Sequence, residues 1–258
     1  MKKLLLLGIS LLLAPTVMAW GGFGHDIIVE IAKRNLTKRA AENIARYMPY
    51  DLVSESSWMD AHRHDEPIAY TTHWHSFRYD KHLQYDAEAS SPRGDVLTAL
   101  QIADENLSRY RELTDSAVVM NLRFVLHFVG DMHCPTHANP PHTPRVPVML
   151  NGKKYKKFHT VYDAMPRLIH GSKATAQSVA DALDECSKKR IKKIAAGNFI
   201  DWANEVAAKT SIIYEWNPPE VTNLHPETVE WSTDMTNELM RDAGYRTAEL
   251  LNRYFDHD

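Results

Sequence analysis

The chain has 258 residues, 30 lysines and arginines against 33 aspartates and glutamates, and a net charge of −3. That balance argues against a protein that grips nucleic acid through a broadly basic surface. Beyond the first nineteen residues no stretch is long and apolar enough to span a bilayer, and the length suits one compact domain, or at most two.

Residues 1–19 read as a signal peptide: Lys2 and Lys3 at the charged end, an apolar run from Leu4 to Leu13, and Val17-Met18-Ala19 as a small-residue cleavage site. The pattern predicts a periplasmic or secreted mature chain at 20–258, which begins at Trp20. Removing nineteen residues leaves 239, and losing Lys2 and Lys3 leaves 28 basic against 33 acidic side chains, a net charge of −5. Cys134 and Cys186 fit an oxidising compartment; spacing leaves a disulfide and two free thiols equally open.

Trp20-Gly21-Gly22-Phe23-Gly24-His25 follows, its three glycines expected in a flexible tip that folds back tightly. A helix is expected from near His25, with Ile27, Ile28, Ile31 and Ala32 on one stripe, and a second over Thr37 to Tyr47. A mixed stretch, Ser56 to Arg63, precedes an irregular segment ending in His73-Trp74-His75-Ser76-Phe77. Arg93 to Leu113 reads as a long amphipathic helix, and Ser116 to Gly130 as a buried one, apolar almost all round. Asn139 to Lys157 is loop-like, with Asn151-Gly152 able to turn a small hairpin. Further helices are expected over Ala174 to Lys188, Ile191 to Tyr214 and Pro226 to Tyr254. The predicted fold is mainly α: a single-domain multi-helix bundle around the buried helix, with at most a small hairpin.

The buried helix leads into His127-x3-Asp131-x5-His137. A spacing of four puts His127 and Asp131 on one helical face, and Pro135 brings His137 from the turn beyond. Burying two such polar groups unpaired is costly, and a metal ion is one partner that would offset it. His159-x3-Asp163 repeats the arrangement. A lone His/Asp pair at this spacing is equally well an ordinary hydrogen bond, and fourteen histidines allow chance clusters.

Longer motifs narrow the reading. Trp20-Gly21 with His25, Trp58-x-Asp60 with Arg63, Trp74-His75, Val125 to Met132 with Cys134-Pro135-x-His137, and His159-x3-Asp163 together resemble the S1/P1 nuclease family, zinc-dependent nucleases related to bacterial zinc phospholipase C. Weaker matches lie in Trp202-Ala203-Asn204-Glu205 and in Ala243 to Asn252. The resemblance implies a bundle built around three zinc ions. One would take Asp60, His75, His127 and Asp131. A second would take His137, His159 and Asp163. The third would take His25, bridging Asp131, and Trp20 through its free amine and carbonyl, which signal-peptide cleavage would expose. Asp60 would orient or deprotonate the attacking water, and Arg63 would hold the phosphate. Three Zn²⁺ against three aspartates leave a local charge near +3 that would draw an anionic substrate despite the acidic surface. His62, His64, His73, His133 and His142 are read as non-ligands.

The match fails at the family's nucleobase pocket. Ser76 and Arg78 stand where the family has an aromatic and an acid, and Asn139 to Pro147 replaces a Gly-Gly-Asn loop. Trp74, Phe77 and Tyr79 are either base-stacking rings or core aromatics. The resemblance implies hydrolysis of single-stranded DNA and RNA to 5′-phosphorylated products, and of 3′-nucleotides. The expected partner is single-stranded nucleic acid or a nucleotide, with no stable protein partner and no membrane span. The alternatives are a phospholipase C on the same frame and a non-catalytic zinc-binding protein.

Overall fold

The computed structural model of the chain describes residues 20–141, 146–218 and 220–257. The predicted leader at 1–19, His142 and the following residues 143–145 of the proline-rich loop lie outside the described residues. Helices α1 (Gly21–Arg34), α2 (Lys38–Ala45) and the short α3 (Trp58–His62) come first. Strand β1 (Phe77–Arg78) leads to α4 (Val96–Leu107) and α5 (Asp115–His133). Strands β2 (Ala138–Asn139), β3 (Val148–Leu150) and β4 (Lys153–Tyr155) precede α6 (Phe158–Asp163) and α7 (Met165–His170). Then follow α8 (Ala176–Leu183), α9 (Lys188–Ile194), α10 (Phe199–Thr210), α11 (Ile212–Trp216) and α12 (Thr228–Phe255).

The buried helix is α5. Leu122, Leu126, Phe128, Val129 and Met132 are wholly inaccessible, each burial stabilising by roughly 1.5–3 kcal/mol. Helices α4 and α12 pack along it, and α1 packs on α12, α8 and α5. Thr114 caps its start by accepting from Ala117 N at 3.3 Å, and Cys134, extended before Pro135, ends it. No helix among the described residues is long and apolar enough to cross a membrane.

Several boundaries move for identifiable reasons. Helix α4 starts at Val96, because the Asp95 carboxylate accepts from Leu97 N and Thr98 N, both at 3.0 Å. The expected helix over Ala174 to Lys188 stops at Leu183. Asp184 is drawn off by Asn35 at 3.2 Å and by the Tyr245 hydroxyl at 2.8 Å. The expected Ile191 to Tyr214 helix is three pieces: Asn198 starts α10 in a reciprocal cap with Asp201, and α11 begins anew at Ile212. The glycines before His25 are not a flexible tip but the first turns of α1. Gly21 has φ +48°, and a Cβ there would sit 2.8 Å from the Asp163 carbonyl oxygen, so only glycine lets this turn lie against α6.

The predicted hairpin is β3–β4, turning at Asn151-Gly152. A second pair, β1–β2, is parallel, with Phe77 opposite Ala138 and Arg78 opposite Asn139. Two-residue strands leave no alternation for a sequence to display, yet this pair ties the segment after His75 to the segment after His137.

Candidate metal centre

Asp131 is the middle of the site. It is wholly buried on α5, and four imidazoles from four segments converge on its carboxylate. Oδ2 lies 2.8 Å from His75 Nδ1 and 3.1 Å from His127 Nε2. Oδ1 lies 3.5 Å from His25 Nε2 on α1 and 3.3 Å from His137 Nδ1 in the turn after α5. Asp60, on α3, stands 3.6 Å from His75 Nδ1 and 3.9 Å from His127 Nε2. On α6, His159 Nε2 is 3.2 Å from Asp163 Oδ1 and 3.3 Å from His137 Nε2. Both His-x3-Asp spacings therefore put their pairs on one helical face.

Two backbone carbonyls fix ring orientation. His127 Nδ1 donates to Ser56 O at 2.9 Å, and His159 Nδ1 to Thr136 O at 3.3 Å, so each ring aims Nε2 into the cluster. Trp20 enters by its indole, whose Nε1 donates to Gly130 O at 2.7 Å. Its backbone takes φ +43°, in the left-handed region, and so turns the chain into α1.

Electrostatically the site divides. Burial, with the His127 charge, lowers His25; burial, with His137 and Lys157, holds His159 well below its ordinary value. Burial would also lower His127, but Asp131 and Asp60 outweigh it and push it up to about 9. Burial would raise Asp131, yet the imidazoles of His127, His137 and His75 hold it well below the carboxylate range. Burial raises Asp163 well above that range.

This donor set fits metal ions. Bonds of about 2.0–2.1 Å in a tetrahedron put neighbouring ligand atoms about 3.3 Å apart, close to the 2.8–3.5 Å separations around Asp131. Buried His25 Nδ1 and Nε2, Asp131 Oδ1, His137 Nδ1 and both Asp163 oxygens have no protein hydrogen-bond partner, a costly arrangement that a cation would relieve. Three clusters able to hold a metal result: His25, His127 and Asp131; Asp60, His75 and His127; and Cys134, His137 and Asp163.

A pocket of about 440 Å³ opens over the site, lined by Asp60, Arg63, His75 and His137 together with Ser76, Lys156, Lys157 and His159 among others. Arg63 is one-third exposed, with Nη1 3.9 Å from Asp60 Oδ1. Eight of the nine expected ligand residues, together with Arg63, thus come together, whereas Trp20 is placed by its indole and its carbonyl accepts from Gly24 N at 3.3 Å. Trp74, Phe77 and Tyr79 are at most 5% exposed and belong to the core. Trp74 packs on Phe124 and Phe128, and its indole donates to Arg93 O at 2.8 Å.

Sequence reading missed Cys134, a free buried thiol beside His137 and Asp163; Cys186 is free and half-buried. It also missed the carbonyls of Ser56 and Thr136, which no side-chain pattern announces. Lys156 and Lys157 had a visible signal, since four of residues 153–157 are lysine. His62 is held by Asp65 at 2.8 Å and stacks on Trp58 outside the cluster. His133 is wholly buried but faces away from the cluster, accepting from Arg246 Nη1 at 2.7 Å.

The S1/P1 Nuclease family profile matches residues 20–256. Nuclease S1 of Aspergillus oryzae is 24% identical over 94% of each chain. Endonuclease 2 of Arabidopsis thaliana is 29% identical over 49% of this chain, and Endonuclease 1 of the same plant is 29% identical over 53%. The chain spans about half the length of these two plant relatives, 48% and 50%. With its profile matched from Trp20 nearly to the end, the chain belongs to the S1/P1 nuclease family.

Proposed function

We propose that the chain is an exported zinc-dependent phosphodiesterase. It hydrolyses single-stranded DNA and RNA to 5′-phosphorylated products and removes 3′-phosphates from nucleotides. The observation that carries this reading is the convergence of His25, His75, His127 and His137 on one buried carboxylate, Asp131, under a pocket that also holds Arg63.

Three zinc ions suit the residues. Asp60, His75, His127 and Asp131 would hold the first. His137, His159 and Asp163 would hold the second. His25, Asp131 and the amine and carbonyl of Trp20 would hold the third. Removal of residues 1–19 by a signal peptidase would free that amine, which titrates near pH 8 and can yield its proton to a metal. When bound, zinc acidifies water towards neutral pH and draws charge from a phosphoryl oxygen.

The chain's own residues do the rest. Asp60, 6% exposed at the pocket floor, orients the attacking water and takes its proton. The Arg63 guanidinium binds a non-bridging phosphoryl oxygen as charge spreads in the transition state. The water oxygen forms the new bond to phosphorus, the P–O3′ bond breaks, and the 3′-oxygen leaves taking a proton from solvent, to which Asp60 returns the one it took. One product keeps the 5′-phosphate and the other a 3′-hydroxyl. Single strands suit the site because a recessed centre is more easily reached by an unpaired, flexible backbone.

The test is product analysis on single-stranded DNA, using zinc-loaded protein that begins at Trp20. Zinc-dependent release of 5′-mononucleotides, stopped by a chelator and reduced about 100-fold or more in Asp60→Asn, is the expected result. A fully zinc-loaded protein that leaves DNA, RNA and 3′-nucleotides intact refutes the reading, and hydrolysis of phosphatidylcholine instead would move the chain to the phospholipase alternative.

A further inference from the structure

The pocket over the metal centre carries more positive charge than hydrolysis of one phosphate requires. Arg63 lines it beside Asp60. Lys156 and Lys157 line it beside His159, where β4 runs into α6. No carboxylate among the described residues pairs with either ammonium. The Lys157 charge reaches the site, since after burial and His137 it is the next influence lowering His159, and it opposes the rise of Asp163. Lys153 and Lys154 extend the run outward along β4, both exposed, in a chain whose net charge is −3.

What the pocket omits matters equally. Its lining contains no Phe, Tyr or Trp among the described residues, and the nearby rings Trp74, Phe77 and Tyr79 are buried in the core. The described lining thus offers no large aromatic ring as a stacking platform for a base. Ammonium groups hold phosphates as point charges and carry no base information.

We propose that Lys156 and Lys157 form a second phosphate subsite, which takes the phosphate next to the scissile one. The preferred substrate class is then an oligonucleotide rather than a mononucleotide, gripped through its backbone with little regard to base. This rests on the phosphodiesterase reading above. Arg63 and the metals hold the phosphate that reacts; the two lysines hold its neighbour and set where along the strand the chain is cut.

The experiment compares zinc-loaded wild type, Lys156→Ala/Lys157→Ala and Lys156→Arg/Lys157→Arg, with zinc content measured for each. Substrates are thymidine dinucleotide, trinucleotide and a trinucleotide whose neighbouring linkage is an uncharged methylphosphonate. In wild type, neutralising the neighbour should lower kcat/KM by about tenfold or more, chiefly through KM, as expected for a lost charged contact. The alanine variant should lose a similar factor on the ordinary trinucleotide, be indifferent to the methylphosphonate, and show a salt dependence shallower by about 0.7 per lysine. The arginine variant should restore the wild-type pattern. An alanine variant as sensitive to the methylphosphonate as wild type, or one that loses equally on dinucleotide and trinucleotide, overturns the subsite while the phosphodiesterase reading stands. A wild type that cleaves none of these substrates overturns both.

Discussion

At the scale of single residues, proton bookkeeping separates the histidines. His25 and His159, lowered by burial, present neutral rings at pH 7. His127 does not, because Asp131 and Asp60 raise it to about 9 against the opposing effect of burial. Its contribution to the stability of the metal-free chain is complete below the ordinary value of 6.5 and is lost as pH rises towards 9. A metal at Nε2 must first displace that proton. Zinc added to metal-free protein at pH 7 should therefore release protons, and affinity should rise about tenfold per pH unit for each proton displaced. Calorimetry in buffers of different ionisation enthalpy counts those protons; a count of zero would remove His127 from the ligand set.

At the scale of elements, the crossing of α1 and α5 is set by Gly130. A Cβ there would lie 2.8 Å from His25 Nδ1 and 3.2 Å from Ile28 Cδ1. Gly130 O also accepts from the Trp20 indole, so one residue seats both His25 and the start of α1 against α5. Gly130→Ala should push α1 away, lowering stability by about 1–3 kcal/mol and weakening zinc binding. Gly152→Ala, at the hairpin turn with nothing within 4 Å of its new methyl, should lower stability through its φ of +78° and yet leave zinc binding unchanged. Urea titration and zinc analysis of the two variants check this; equal zinc affinity in both would show that the α1–α5 distance is not set at Gly130.

At the scale of the whole molecule, α5, α10 and α12 are locked behind the site by one buried cation. Arg246 pairs with Glu205, donates to Ile194 O at 3.1 Å and to His133 Nε2 at 2.7 Å, and lies over the Trp202 ring. Arg246, Glu205 and Trp202 belong to the two weaker sequence matches, which meet only in the fold. Arg246→Met should cost about 1.5–3 kcal/mol, less than a fully buried pair would, because the 40% exposed Glu205 can regain water. Burial and the Arg246 charge lower His133 to about 3. The unfolded chain binds that proton below pH 6.5 and the folded chain does not. Stability from this group is thus complete above pH 6.5 and falls by about 1.4 kcal/mol per pH unit as pH drops towards 3. Thermal melts across that range test both statements; an Arg246→Met melt matching wild type would refute the lock.

The sequence by itself determined what repeats at short range. A helical stripe of Ile27, Ile28, Ile31 and Ala32 marked α1, a run apolar almost all round marked α5, the i, i+4 spacings paired His127 with Asp131 and His159 with Asp163, and Asn151-Gly152 marked the hairpin. It misplaced the ends of helices where a remote partner competes, as Tyr245 does for Asp184, and it missed the Asn198 cap although Asn198 and Asp201 were there to read. Family motifs named the site residues, but spacing alone left each of them an ordinary hydrogen-bonded side chain. Only the tertiary structure decided that His25, His75, His127 and His137 share one carboxylate, that Trp74, Phe77 and Tyr79 are core, and that Lys156 and Lys157 face the pocket. The physical reason is range: local patterns report backbone conformation within a turn or two, whereas convergence and burial depend on contacts between segments far apart in sequence.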